Sequence, residues 1–221
     1  MKENSKEAVI FDMDGVIFDS ETLVFQCWNV VAEKYGIKNV EEVCIQCLGM
    51  NAIEARERFL NYYGRDFPYD EYKREMAELF HKRAAEGGLE LKPGVEELLT
   101  FLKEHHYKTA VASSTRKAVV ETQLTAAGII HYFDRIVCGD MVEKSKPEPD
   151  IYLTAAKKIG IDPSRCYAIE DSYNGIRSAH SAGMDVIMVP DMLPANREME
   201  EICCNILDSL SQVVTLLQDK K

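Results

Sequence analysis

The sequence predicts an α/β fold: a Rossmann-like parallel-sheet core with a helical cap domain inserted after its first strand. Three observations carry that expectation. Short, mainly apolar runs recur at 8–11, 109–112, 136–138, 167–169 and 186–189, the pattern of strands covered on both faces. From residue 95 onward amphipathic stretches separate these runs, so strand and helix alternate as in βαβ units, which build a parallel sheet. Between 20 and 90 the apolar residues fall at helical spacing and no convincing strand is seen.

Taken in order, Ala8-Val9-Ile10-Phe11 is apolar throughout and stops at Asp12. Leu23, Val24, Cys27, Trp28, Val31 and Tyr35 then mark one helical face, with Ser20 a suitable N-cap. Further helical patterns cover 40–47, 50–62 and 70–86, before Gly87-Gly88 and Pro93-Gly94 break the rhythm. A helix at 95–105 leads to the second strand, and one at 116–127 stops at Gly128, a residue suited to the left-handed position past a helix end. After the third strand, Pro149 opens a helix with Tyr152, Ala155, Ala156 and Ile159 on one face, closed by Gly160. Ser172 caps the helix between the fourth strand and the fifth. The domains expected are therefore a core of residues 1–17 and 89–221 and a helical cap of 18–88, joined by linkers near 16–20 and 86–92.

Composition narrows the functions available. A chain of 221 residues suits one domain with a sizeable insertion. With 26 Lys+Arg against 37 Asp+Glu the net charge is −11, a poor match for nucleic acid or an anionic membrane. No apolar run approaches the roughly 18 residues that span a bilayer. The polar N-terminus runs straight into a strand and lacks the form of a signal peptide. A cytoplasmic monomer is the plain expectation. The seven cysteines are odd in number and scattered, so they read as reduced residues rather than a disulfide framework. Cys44-x-x-Cys47 has no second pair at zinc spacing, and Cys203-Cys204 reads as packing.

In open parallel sheets, ligands bind beyond the carboxyl ends of the strands, where the winding reverses. Four polar groups stand at such ends here: Asp12-Met13-Asp14-Gly15, Ser113-Ser114-Thr115, Lys144-Ser145-Lys146-Pro147 and Glu170-Asp171. Alone, Asp12 and Asp14 fit a solvated turn, and Glu170-Asp171 fits the acid pair that a helix dipole favours. Ser113 alone is an ordinary cap residue and Lys146 an ordinary lysine. Two acidic pairs at two strand ends would make an oxygen-rich site with few other ligands, which suits Mg²⁺ better than a calcium loop. Ser113 adds a hydroxyl where free N–H groups hold anions, and Pro147-Glu148-Pro149 stiffens the loop presenting Lys146. Carboxylates, metal pair, hydroxyl and lysine are together the parts of a phosphoryl-transfer site.

The order DMDGVIFDS (12–20), VASSTR (111–116), KPEPD (146–150) and EDSYNG (170–175) resembles the haloacid dehalogenase-like hydrolase superfamily, in the helical-cap branch that includes β-phosphoglucomutase and small sugar-phosphate phosphatases. The resemblance covers almost the whole chain. It implies that Asp12 attacks phosphorus to form an aspartyl-phosphate. Asp14 protonates the leaving alkoxide and then activates water, while Ser113 and Lys146 hold the phosphoryl oxygens. It further implies Mg²⁺ bound by Asp12, the backbone carbonyl of Asp14, Glu170 and Asp171, with a small phosphorylated metabolite as substrate. The usual glycine before the motif lysine is Ser145 here, which leaves Lys144 as a competitor.

Dehalogenation is disfavoured because halide leaves without a proton, so that branch lacks the acid Asp14 supplies. A mutase of the β-phosphoglucomutase type usually carries a cap histidine about ten residues past the second aspartate and an arginine three residues after a cap glycine. Those positions are Val24 and, counting from Gly49, Ala52, with Arg56 one turn on as a substitute. A phosphatase of sugar or polyol phosphates is thus the leading expectation. A mutase is the alternative, and a non-catalytic phospho-ligand sensor a further one.

Overall fold

The computed structural model describes residues 6–47, 52–87 and 89–219. Strand β1 (Ala8–Phe11) is followed by four helices, α1 (Ser20–Tyr35), α2 (Val40–Cys47), α3 (Ala52–Tyr63) and α4 (Tyr69–Ala85). Then come α5 (Val95–Glu104), β2 (Lys108–Ser113), α6 (Lys117–Ala126), β3 (Arg135–Cys138), α7 (Asp150–Ile159) and β4 (Cys166–Glu170). The chain ends with α8 (Tyr173–Ser181), β5 (Asp185–Met188), α9 (Arg197–Ile202), β6 (Asn205–Ile206) and α10 (Leu210–Asp219). It divides into two compact units, Met1–Phe18 with Glu90–Lys221, and Asp19–Leu89.

The first unit holds one parallel sheet of six strands in the order β3-β2-β1-β4-β5-β6. From β1 the chain winds outward through β2 and β3, then returns to place β4 on the other side of β1. The winding direction therefore reverses between β1 and β4, beside the acidic segments that follow them. Ala8, Ile10, Ala110, Ala112, Ala168 and Val186 face a core closed by Tyr152, Ala155 and Ala156 of α7 and Ile176 and Ala179 of α8. The alternate strand residues Val9, Phe11, Val111, Ile169 and Ile187 are buried too, so both sheet faces are covered. That is why the strands read as unbroken apolar runs.

The chain leaves and re-enters this unit at neighbouring points. Phe18 and Leu91 form an antiparallel bridge, and the Lys92 N–H donates to the Ile17 carbonyl at 2.9 Å.

The second unit is helical, with no strand among its described residues. Trp28, Val31, Val43, Phe59 and Tyr72 form its larger core, in which Trp28 and Phe59 stack at 5.1 Å and the Tyr72 hydroxyl donates to the Trp28 carbonyl. A smaller cluster brings Leu23 and Cys27 of α1 against Ala84 of α4. The N-cap of α1 is Asp19, whose Oδ1 accepts from the Thr22 N–H, and not Ser20, which is buried as the first helical residue. Gly49 and Gly88 lie outside the described residues. None of the seven cysteines is joined in a disulfide. Burial pushes the Cys44 and Cys47 thiols up, away from the thiolate that redox or metal chemistry needs. Cys203 packs against the sheet core, whereas Cys204 is exposed rather than packed.

Candidate active site

The acidic residues sit where the ladder ends. The Asp12 N–H donates to the Ile169 carbonyl at 3.0 Å, which extends the β1–β4 pairing by one residue and fixes Asp12 beside the end of β4. Asp12 is buried, and its Oδ1 accepts from Lys146 Nζ at 2.5 Å. The same ammonium donates to Glu170 Oε1 at 2.6 Å, so one lysine is shared by two carboxylates. Lys144 is exposed, and only Lys146 of the two makes this pairing.

Glu170 ends β4 with no exposed surface. Its Oε1 also accepts from the Tyr152 hydroxyl at 2.7 Å, and its Oε2 accepts from the Ser172 N–H and hydroxyl at 3.3 and 3.1 Å. Ser172 is the expected N-cap of α8, its Oγ accepting from the Gly175 N–H. Gly175 is glycine for a local reason: a Cβ there would run into the Glu170 carboxylate. Gly15, at φ +78°, answers a similar demand, because a Cβ would collide with the Asp171 carboxylate. The turn after Asp14 thus lies directly against Asp171.

Asp12, Glu170 and Asp171 each offer a carboxylate oxygen, all within 4.8 Å of one another. Asp14 is half-buried, and its Oδ2 accepts from the Thr115 hydroxyl at 3.1 Å. Ser113, fully buried at the end of β2, accepts the Thr115 N–H on its Oγ at 3.1 Å. The structure therefore gathers Asp12, Lys146, Glu170 and Asp171 into one cluster, and ties Asp14 and Ser113 together through Thr115.

Electrostatics follow from that crowding. Burial raises the Asp12 carboxyl, Lys146 pulls it back, and the charges of Glu170 and Asp14 push it up again, to about 7. Burial, with Glu170 and Asp12 nearby, holds Asp171 well above the usual carboxylate range. Burial alone would lower Lys146, but Asp12 and Glu170 outweigh it and keep the ammonium protonated. Several carboxylates thus share one buried cation, a surplus of negative charge that a divalent metal would offset. An all-oxygen donor set of this kind suits a hard cation.

Tyr152 and Thr115 had no functional reading in the sequence. Tyr152 lies on the apolar face of α7 and looks like a core residue. The need of a buried hydroxyl for a partner is the one signal that could have marked it. Its ring also lies 5.2 Å from Lys146 Nζ, near enough for a cation–π contact.

The sequence pattern of the haloacid dehalogenase-like hydrolases matches residues 9–189. The chain belongs to the haloacid dehalogenase-like hydrolase family. Among curated members it is 36% identical over 191 residues to the phosphorylated carbohydrates phosphatase of Thermotoga maritima, covering 82% of this chain and 83% of that one. It is 35% identical over 191 residues to the β-phosphoglucomutase of Bacillus subtilis, with 83% of each chain covered. The crystal structure of CbbY from Rhodobacter sphaeroides in complex with phosphate superposes with a TM-score of 0.71 at 30% identity, over 94% of this chain and 96% of that one. The α/β core is thus the fold of this hydrolase family, and the acidic cluster stands where its strands end. No helix among the described residues is long and apolar enough to cross a membrane.

Proposed function

We propose that this family member is a Mg²⁺-dependent phosphatase that hydrolyses small phosphate monoesters, of sugars or polyols, through an aspartyl-phosphate on Asp12. The observation that carries the reading is the buried Lys146 shared between Asp12 and Glu170, with Asp171 in the same carboxylate cluster. When bound, Mg²⁺ would offset the repulsion between Asp12 and the phosphate dianion. Asp12, Asp171 and the Asp14 carbonyl are the groups assigned to hold it. The oxygens of Glu170 already accept from Lys146, Tyr152 and Ser172, so Glu170 is assigned first to positioning Lys146 and only second to the ion.

In the first step an Asp12 oxygen bonds to phosphorus as the ester P–O bond breaks. Asp14, steadied by Thr115, gives its proton to the departing alkoxide. In the second step Asp14 takes a proton from water, which attacks phosphorus, releases inorganic phosphate and restores the Asp12 carboxylate. Lys146 and Ser113 hold the phosphoryl oxygens through both steps.

The mutase alternative needs a cationic anchor for the phosphate that is not reacting. Val24 packs into the helical unit's own core. Arg56 is engaged with Asp70, at 3.2–3.3 Å from both the Nε and Nη2 groups. Neither is a ready anchor, and Gly49, from which Ala52 is counted, lies outside the described residues. The test is to supply β-glucose 1-phosphate with Mg²⁺ and a trace of bisphosphate, and to follow glucose 6-phosphate and free phosphate together, alongside a panel of phosphate esters. Free phosphate without isomerisation is expected. Glucose 6-phosphate outrunning free phosphate would give the site to a mutase, and no turnover of any ester would leave a binding protein.

A further inference from the structure

Beyond the groups assigned above, one buried carboxylate oxygen lacks a donor among the described residues. Asp191 follows Pro190 in the loop after β5, and its side chain is only 10% exposed. Its Oδ1 accepts from Lys92 Nζ at 2.6 Å, while its Oδ2 is buried with no hydrogen-bond partner among the described residues. A buried carboxylate satisfied on one oxygen alone is unfavourable unless a further donor or cation faces the other.

The topology says what lies nearby. β4 and β5 are adjacent and parallel with Glu170 opposite Met188, and the Val189 N–H donates to the Glu170 carbonyl at 2.8 Å. Asp171 and Asp191 therefore leave the same sheet edge on neighbouring strands. The charge of Asp191 is also among those felt by Asp171. Lys92 is fixed from the other side, since its backbone N–H is bonded to Ile17 in the turn that follows Asp12-Met13-Asp14-Gly15. The Lys92–Asp191 pair thus joins the two segments that flank the carboxylate cluster, and leaves one oxygen over.

We propose that Asp191 is a positioning residue of the cation site: its Oδ2 receives a hydrogen bond from the hydration shell of the ion held by Asp12 and Asp171, and Lys92 holds it in that orientation. This rests on the Mg²⁺ reading above. Outer-shell acceptors of this kind orient what the direct ligands bind. A merely structural ion pair accounts for the Lys92 contact; the second buried oxygen, carried on the strand end next to that of Asp171, is what points to the cation site.

The experiment is calorimetric titration of Mg²⁺ into the metal-free full-length chain and into Asp191→Asn, Asp191→Ser, Lys92→Met and Asp171→Asn, with melting curves of each in EDTA. In Asp191→Asn the amide oxygen must face Lys92, so an NH₂ donor replaces the Oδ2 acceptor. The expected result is roughly tenfold or greater weakening of Mg²⁺ binding in both Asp191 variants, weakening in the same direction for Lys92→Met, and loss of binding in Asp171→Asn. Two Asp191 substitutions are carried so that a folding failure in one leaves the other to decide. Mg²⁺ affinity within twofold of the parent in a folded Asp191 variant overturns this inference alone, whatever happens to its melting temperature. A parent chain that binds no Mg²⁺ overturns both this inference and the reading beneath it.

Discussion

Replacing Asp12 by Asn is expected to strengthen the metal-free fold while abolishing turnover. The carboxyl titrates near 7 in the fold against an ordinary value of 3.8, and each pKa unit is worth about 1.4 kcal/mol. Below 3.8 Asp12 is protonated in both folded and unfolded chains and has no effect on stability. Between 3.8 and 7 the unfolded chain ionises while the fold resists, so stability falls with rising pH. Above about 7 the full penalty, at most about 4 kcal/mol, stands. The amide does not titrate, so the advantage of Asp12→Asn over the parent should be near zero at pH 3 and grow to at most about 4 kcal/mol at pH 8. Urea denaturation in EDTA across that range measures it. Circular dichroism is the suitable signal, because the single tryptophan, Trp28, lies in the helical unit. Hydrolysis of an aryl phosphate by the same variant should fall by roughly 10³-fold or more, the scale of a lost nucleophile. A variant no more stable than the parent at pH 8, or an advantage that does not grow with pH, refutes the electrostatic argument. Turnover within about tenfold of the parent removes Asp12 from the chemistry.

Glu170→Gln should act in the opposite sense, lowering metal-free stability by about 2–3 kcal/mol, because a buried charge pair with Lys146 is lost and the amide NH₂ leaves either the Tyr152 hydroxyl or the two Ser172 donors without an acceptor; melting in EDTA checks this, and an unchanged melting temperature counts against it. Gly175→Ala should destabilise by about 1–3 kcal/mol despite the better helix propensity of alanine, since its Cβ must displace the Glu170 carboxylate; a neutral or stabilising result would mean that the carboxylate moves freely. Hydrolysis should require Mg²⁺ and be inhibited by Ca²⁺, whose larger and looser shell can take both oxygens of Asp12. Full activity in EDTA would contradict the metal site, and full activity with Ca²⁺ would contradict this account of metal choice.

The sheet was largely readable because burial on both faces leaves little room for polar residues: Ala8–Phe11 appears in the sequence as it does in the structure. Cys166 and Glu170, at the two ends of β4, were less legible, since neither residue type announces a strand. β6 gave no signal at all. It has two residues, Asn205 and Ile206, and exists only because Ile187 and Met188 offer a free edge. α10 was not among the expected helices, although Leu210, Val213, Val214 and Leu217 carry helical spacing. At the site, the acidic pairs could be named because each stands beside a strand end, and the lysine because the stiff Pro147-Glu148-Pro149 segment follows it in the loop after β3. Their mutual contacts could not, since the sharing of Lys146 by Asp12 and Glu170 depends on which strands are neighbours. The cap of α1 was expected at Ser20 and lies one residue earlier, at Asp19, because aspartate and serine cap about equally well.

The bridge between Phe18 and Leu91 bears on how such a chain can change its length. The sheet unit holds the two ends of its interruption side by side, and in the helical unit α1 and α4 likewise meet where Leu23 and Cys27 touch Ala84. Each unit therefore carries a matched pair of ends. In the statistics of chain closure, lengthening an excursion whose ends are already pinned adds only about 0.6 kcal/mol per doubling. The folding of the sheet is thus nearly indifferent to what lies between Asp19 and Leu89. An insert with such ends behaves as a cassette, free to be exchanged or resized by recombination while β1 keeps its neighbours and the carboxylates at its tip keep their places.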